Sequence, residues 1–378
     1  MIIEHIDQVL PHIAGRNDFI TAKKDGYTVI DYVYAAADTF DDFVRLECRG
    51  IKFAPDGRTL ARPFQKFFNI GERPETQPDA LDFSAPHVVM EKLDGSMIHP
   101  AVVGGKVVFM TRMGRTDVAV KAERHLSREL AHECETWLNK SVTPIFEFTA
   151  PDNRIVVPYA TSALYLLALR NTVTGEYLEW SQVERAARAM LVYQAPIHDA
   201  PRTASEFLAH TRAVTGMEGF VVRFADGRMV KAKGEEYVLK HKAKDSILQE
   251  KNVLALVLRG EVDDVLPLLD GPDRLSVQQY RDDVLTGVSR TARMISDVVT
   301  RYSDLSQKEF ALGPAATMPP LFRPLAFQIR GGGEPVAAVT ALLLKHVGSA
   351  SAVEGARGMF CARFALGTND NAELRDAA

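Results

Sequence analysis

Between about Phe43 and Lys244 apolar and polar residues alternate in short runs, each broken by a turn containing Gly, Asp or Pro. Period-two patterning with such punctuation predicts antiparallel strands joined as hairpins. Leu46 to Phe53 is expected to be a strand entering the turn Ala54-Pro55-Asp56-Gly57. Ser96 to Val103 turns through Gly104-Gly105 into Val107 to Arg112, and Phe220 to Phe224 returns through Ala225-Asp226-Gly227 as Met229 to Lys233. Helical spacing interrupts the strands. Asp117 to Lys140 reads as one amphipathic helix, and Ser181 with Glu184 as a capping box that opens another. After about Asp245 the row Val284, Val288, Ala292, Ile295, Val299, Tyr302 steps by three or four residues, as one face of a long helix does. Gly313 to Pro335 is expected to break the helical pattern, and Val336 to Val347 to resume it. The prediction is an α+β chain: antiparallel sheets with flanking helices over residues 1–245, then a mostly helical domain over 246–378.

Composition changes this picture little. The chain has 378 residues, 45 Lys+Arg against 49 Asp+Glu, and 46% hydrophobic residues, which suits a folded chain of about two domains. A net charge of −4 excludes a surface basic all over, but the distribution is uneven. Residues 45–73 hold seven Lys/Arg against three acids, and residues 221–251 hold eight against five. Cys48, Cys134 and Cys361 lack the spacing of a disulfide framework or zinc ribbon, and His125 and His132 lack that of a metal site. The first residues do not fit a secretory signal, and the longest apolar runs fall well below the roughly 18 residues of a membrane span. A cytoplasmic protein without membrane contact is expected.

The residues that could carry chemistry come in a fixed order. Glu91-Lys92-Leu93-Asp94-Gly95-Ser96 follows the apolar stretch His87 to Met90, which sets a lysine where a strand enters a tight turn. Ile145-Phe146-Glu147-Phe148 puts an acid on the strand face opposite two aromatics. Glu218-Gly219 precedes a hairpin whose return strand carries Lys231 and Lys233 on one face, an arrangement that repels itself unless an anion lies between.

In this order and spacing Lys92-Leu93-Asp94-Gly95, Phe146-Glu147-Phe148, Glu218-Gly219 and Lys231-Ala232-Lys233 resemble the motifs of the covalent nucleotidyltransferases, which include DNA ligases, RNA ligases and capping enzymes. Ser96 favours the RNA ligases. Glu47-Cys48-Arg49-Gly50, Ala61-Arg62-Pro63-Phe64-Gln65-Lys66-Phe67-Phe68-Asn69 and Asn153-Arg154-Ile155-Val156-Val157 are similar to stretches of the bacteriophage T4 type of single-strand RNA ligase. The resemblance covers residues 40 to 265.

The resemblance implies an ATP-dependent RNA ligase built on a nucleotidyltransferase domain. Lys92 is the expected nucleophile, which becomes a lysyl-adenylate. Lys231 and Lys233 hold the α-phosphate and stabilise its developing charge. Glu147, Glu218 and Asp263 are expected around Mg²⁺ or Mn²⁺, largely through water. Arg49, Lys66, Glu91 and Arg112 are expected to contact ATP or phosphate, with Arg112 standing where relatives carry lysine. Tyr237 is either a substrate contact or a core aromatic. A free lysine titrates near 10.4, so the resemblance also implies a site that favours neutral Lys92, through bound metal and nearby cations. Single-stranded RNA or broken tRNA ends are the implied partners, with RNA repair as the role, in a monomer that works in the host cytoplasm if phage-encoded. A DNA ligase, a capping guanylyltransferase and a non-catalytic RNA-end-binding protein are the alternatives.

Overall fold

The computed structural model describes residues 1–199 and 201–366. It divides into two compact units, Met1–Val238 and a second that begins at Leu239. Residues 367–378 of the expected helical domain lie outside the described residues.

The first unit contains three sheets. One is a four-stranded meander of β1 (Phe19–Lys24), β2 (Tyr27–Tyr32), β3 (Ile51–Phe53) and β4 (Thr59–Ala61). The second contains β7 (Ser96–Val103), β8 (Lys106–Met110), β9 (Val142–Thr149), β10 (Ala163–Asn171) and β11 (Tyr193–Gln194), in the order β11-β10-β9-β7-β8. The third is β12-β6-β13-β14-β5, formed by β5 (Phe68–Asn69), β6 (His87–Lys92), β12 (Ile197–His198), β13 (Gly219–Phe224) and β14 (Met229–Lys233).

Alternation decides how the second and third sheets stack. In the third sheet Val89, Phe220, Val222, Val230 and Ala232 point one way and pack on Phe207 of the helix Ala204–Ala213. Met90, Val221 and Met229 point the other way, onto Ile145, Tyr165, Leu167 and Ala168 of the second sheet. That sheet turns its opposite face, with Ile98, Phe146, Phe148 and Leu166, to the helices Arg128–Asn139 and Trp180–Ala189. Two sheets thus meet face to face between flanking helices, and residues an even number of positions from Met90, Val221 or Met229 share the inner face.

Several expectations need correction. Asp42 accepts hydrogen bonds from the backbone N–H groups of Val44 and Arg45, which makes Phe43–Glu47 a helix and leaves only Ile51–Phe53 of the expected strand. The expected helix from Asp117 to Lys140 is two, because Ser127 caps a fresh start by accepting from the Leu130 N–H. The helix assigned to a Ser181/Glu184 box begins at Trp180 instead, with Gln182 Oε1 accepting from the Glu179 N–H at 3.2 Å. The β1–β2 hairpin lies ahead of the predicted strand region; its turn residue Gly26 has φ +80°.

The second unit is helical. Its central helix Gly271–Arg301 buries Val277, Tyr280, Val284, Val288, Ala292 and Ile295, while Tyr302 falls past its end and is exposed. The segment expected to break the pattern holds the helix Phe322–Arg330, because Phe322, Leu325 and Ala326 recur on one face and join the core. Pro324 lies in its first turn, where a missing N–H is tolerated. Among the described residues no helix is long and apolar enough to cross a membrane.

Candidate active site

Lys92 ends β6 and pairs across the sheet with Gly219, whose other neighbour is Lys233 on β14. A side chain at Gly219 would stand between the two lysines, and a Cβ there would meet the Ala232 carbonyl at 2.2 Å. Glu218, immediately before, is buried and bridges both: Lys92 Nζ lies 2.7 Å from its Oε2 and Lys233 Nζ 3.0 Å from its Oε1. Lys231 shares this inner face by alternation, and its Nζ lies 5.5 Å from the centre of the Phe67 ring. From the second sheet Glu147 reaches the turn after Lys92, where its Oε1 accepts from the Gly95 N–H at 3.1 Å. Gly95 must be small, since a Cβ would meet the Phe148 carbonyl at 2.3 Å.

The turn itself is clamped. Asp94 is buried, and its Oδ2 accepts from the N–H groups of Val156 and Val157 at 2.6 and 2.7 Å. Its Oδ1 accepts from the Tyr237 hydroxyl at 2.7 Å, and its own N–H donates to the Tyr159 hydroxyl at 2.9 Å. Asn153 adds a bond from its Nδ2 to the Ser96 hydroxyl at 3.1 Å. Tyr237 is therefore a core aromatic whose hydroxyl fixes the lysine turn. Asp94, Tyr159 and Asn153 were not foreseen as site residues. Asp-Gly reads locally as a turn pair, and the partners of Asp94 lie far away in the chain.

The charges decide how the lysines behave. Burial works against the Lys92 ammonium, but Glu218, Glu147 and Asp94 outweigh it, so its pKa is raised. In the empty site the carboxylates therefore hold Lys92 charged; the expected preference for the neutral amine concerns the site with metal and nucleotide bound. Burial likewise opposes the Glu218 carboxylate, yet Lys92 and Lys233 hold it below the ordinary range. Glu147 goes the other way. Burial pushes it up to about 8; Lys92 opposes the rise, and the Glu218 and Asp94 charges add to it. Lys231 is pulled down to about 7 by burial and then by the cations Lys92, Lys66, Arg49 and Lys233. Four positive side chains around a fifth, with Glu147 short of a cation, suit a polyanion and a hard metal ion.

The remaining predicted residues divide. Arg49 lies near Met97, with Nη1 3.7 Å from Sδ, and contributes to the field at Lys231. Lys66 is held 5.2 to 5.4 Å from the ring centres of Tyr32, Phe40 and Phe68, a cage that orients its ammonium. Glu91 is one position out of phase with Lys92, and its carboxylate lies 3.7 Å from His198 Nε2. Arg112 was expected on phosphate. Its Nε lies 2.8 Å from the buried Asp31 carboxylate, with the guanidinium carbon 4.6 Å from the Tyr32 ring centre. Beneath that pair, buried Lys52 reaches His99 Nε2 at 2.8 Å and the carbonyls of Thr111 and Arg112 at 2.7 and 3.0 Å. Asp263 belongs to the second unit, is 81% exposed and faces Arg281 at 3.2 Å, as a surface acid does.

Among the described residues no three His, Cys, Asp or Glu side chains form a metal-holding group. Glu147 and Glu218 are nonetheless hard oxygen donors, and the half-buried Glu147 carboxyl would ionise readily beside a cation. The pair fits a Mg²⁺ that takes most of its ligands from phosphate and water. Two other motif residues are structural. Glu47 lies buried between Arg62 and Arg170, with Arg62 Nη2 at 2.8 Å and Arg170 Nη2 at 2.7 Å.

Two facing sheets thus carry a lysine and carboxylate cluster at one end of their interface, and sequence comparison gives the family. A family model described as RNA ligase, of the T4 type, matches residues 47–248, over half of the chain. The chain belongs to this RNA ligase family. It is 30% identical over 298 residues to a protein of Thermovibrio ammonificans with a provisional RNA ligase name, spanning 75% of this chain and 76% of that one. It is 32% identical over 169 residues to RNA ligase 1 of bacteriophage TS2126, 41% of this chain and 42% of the relative. A solved archaeal ATP-dependent RNA ligase is 16% identical and superimposes with a TM-score of 0.46, over 68% of each chain.

Proposed function

We propose that this RNA ligase is ATP-dependent and joins a 5′-phosphate to a 3′-hydroxyl of RNA through a lysyl-AMP at Lys92. The observation that carries the reading is the bridging of Lys92 and Lys233 by Glu218, with Lys231 on the same face and Glu147 opposite. In the first step Lys92 Nζ, having lost a proton, attacks the α-phosphorus of ATP. A P–N bond forms, the α–β phosphoanhydride P–O bond breaks, and pyrophosphate leaves with the electron pair. Lys231 and Lys233 face the α-phosphate and stabilise charge that grows on it. Glu147 and Glu218 would hold Mg²⁺, whose charge shields the phosphates and opposes the ammonium form of Lys92. Glu218 would turn from Lys92 to such a cation, which would remove the chief support of the ammonium, while Asp94 and its partners keep the turn fixed.

In the second step an RNA 5′-phosphate oxygen attacks the same phosphorus, the P–N bond breaks and Lys92 takes back a proton. The RNA 3′-hydroxyl then displaces AMP and closes the phosphodiester. Arg49 and Lys66 are assigned to phosphate binding. The helical unit is assigned to choosing the RNA, with single-stranded ends and cleaved tRNA loops as the substrates and repair as the role, in a monomer. The test is ligation of 5′-phosphorylated and of chemically pre-adenylated RNA by the wild type and Lys92→Ala. The variant should fail on the first and retain sealing of the second; failure on both despite RNA binding would mean that Lys92 does more than carry AMP.

A further inference from the structure

Glu147 is one rung of a ladder that leads out of the site. Across the second sheet the register sets Met97 of β7 beside Glu147 of β9, Glu147 beside Tyr165 of β10, and Tyr165 beside Tyr193 of β11. Partners in register share a face, so all four stand on the face turned to the third sheet. Tyr165 packs against Met90, Leu93 and Ala195, which closes the interface there. Tyr193, on the edge strand, lies beyond that seal. Its ring stacks on Tyr165, with centres 5.3 Å apart and planes at 30°, and the residue is 66% exposed.

The chain around Tyr193 is apolar or basic. β11 and β12 are the edge strands of the two facing sheets and follow one another directly, so one short segment borders both. Leu191 is 77% exposed and holds φ +55°, a left-handed conformation that strains a residue with a side chain and here buries nothing. Ile197, opposite Met90 on β6, is exposed as well. Residues 185–198 include Arg185 and Arg188 and no acid. Both arginines are exposed near the end of the helix Trp180–Ala189, and the Arg188 carbonyl accepts from the Leu191 N–H at 3.2 Å. Among the described residues neither arginine forms an ion pair. A ring open on one face beside unpaired guanidinium groups suits single-stranded nucleic acid, whose bases stack and whose phosphates take the cations.

We infer that Tyr193 is an RNA-positioning residue: the base of the nucleotide that bears the 5′-phosphate stacks on its open face, and Arg185 and Arg188 take the phosphates that follow. This rests on the sealing chemistry proposed at Lys92. Neighbouring strands lie about 4.8 Å apart, so Tyr193 stands two strands, or about 10 Å, from Glu147, a span that one nucleotide covers. The 5′-phosphate end is the one that needs such a hold. It takes part in both the transfer of AMP and the closure, whereas the 3′-hydroxyl enters only at the last step. A ring in solvent needs no cavity to receive a base, and every base has a face that stacks, so the contact holds RNA without reading its sequence.

The test mixes the full chain, in EDTA, with 3′-blocked, pre-adenylated single-stranded RNA whose first nucleotide is 2-aminopurine. Stacking should quench its fluorescence on the wild type and on Tyr193→Phe, and the quench should vanish on Tyr193→Ala. In sealing of pre-adenylated RNA with Mg²⁺, Tyr193→Ala should raise KM on the order of 10- to 100-fold, the strength of one base–aromatic stack, with kcat little changed and phenylalanine restoring KM. Replacing both arginines, Arg185→Gln with Arg188→Gln, should flatten the slope of log affinity against log salt by about 1.4, the share of two single-strand phosphate contacts. No quench on the wild type, a quench that survives Tyr193→Ala, or an unchanged salt slope overturns the inference. So does an equal loss in adenylylation of Lys92 by ATP, or a changed oligomeric state with RNA binding intact, which would make this edge an interface between copies of the chain. Failure of the lysyl-AMP reading appears separately, as absence of adenylate on Lys92 in the wild type while the quench remains. The wild-type quench needs no variant, so its absence decides the matter even if the alanine variant does not fold.

Discussion

Replacing Glu218 by Gln tests what sets the charge of Lys92. The carboxylate lies 2.7 Å from Lys92 Nζ and is buried. Glutamine keeps the shape and removes the charge. With about 4 Å between charge centres and an effective dielectric constant near 20, the lost attraction is about 4 kcal/mol, or about three powers of ten in proton affinity. Glu147 and Asp94 remain and recover part of it. The sign follows from the linkage: the partner raises the lysine pKa, so removing it lets the neutral amine appear at lower pH. Reductive methylation with ¹³C-formaldehyde gives each lysine an NMR signal that can be titrated, and Lys92→Arg assigns the one of interest. Without nucleotide, wild-type Lys92 should titrate above the ordinary lysine range and Glu218→Gln well below it. An unchanged titration would refute the view that Glu218 keeps the resting nucleophile protonated.

Three other outcomes follow from the same geometry. Lys231, pulled down to about 7 in the empty site, is neutral at pH 8 and should regain its proton beside a polyanion. ATP binding in EDTA at pH 8 should therefore take up protons, seen as a buffer-dependent calorimetric enthalpy that shrinks in Lys231→Arg to the share of Glu147, which titrates at about 8; proton release, or an uptake unchanged in the variant, would contradict the assignment. Tyr237→Phe removes a donor from the buried Asp94 carboxylate and should cost about 1–3 kcal/mol in denaturant unfolding, with slower adenylylation from a looser turn; unchanged values for both would dismiss the clamp. Arg170→Met leaves Glu47 with Arg62 alone and should destabilise by about 3–5 kcal/mol. Loss of ATP binding in that variant without loss of stability would give Arg170 a functional role instead.

Much of the site was legible because its chemistry sits on strands. Alternation alone put Lys231 and Lys233 on one face and Glu147 opposite Phe146 and Phe148, and the Asp226-Gly227 turn marked where the hairpin reverses. What escaped depends on contacts distant in the chain. Lys52 looks like an ordinary polar position in Ile51-Lys52-Phe53, yet it is fully buried on His99 and two carbonyls. Arg112 was foreseen as a charge but not as the partner of Asp31, because β2 lies outside the region where strands were expected. The resting charge of Lys92 depends on three carboxylates from β9, the turn after β6 and the start of β13, and no local pattern reports it. The helix break at Ser127 was missed for a different reason. Amphipathic spacing runs through it, and only the capping contact of Ser127 shows the interruption.

The central claim is that Lys92 becomes joined to AMP. Incubation with ATP labelled at the α-phosphate and Mg²⁺, followed by proteolysis and mass spectrometry, tests it directly. The account predicts one adenylylated peptide, containing Lys92, with an acid-labile P–N bond, reversed by pyrophosphate and missing in Lys92→Ala. Label on another residue, or no covalent label while ATP still binds, would contradict it.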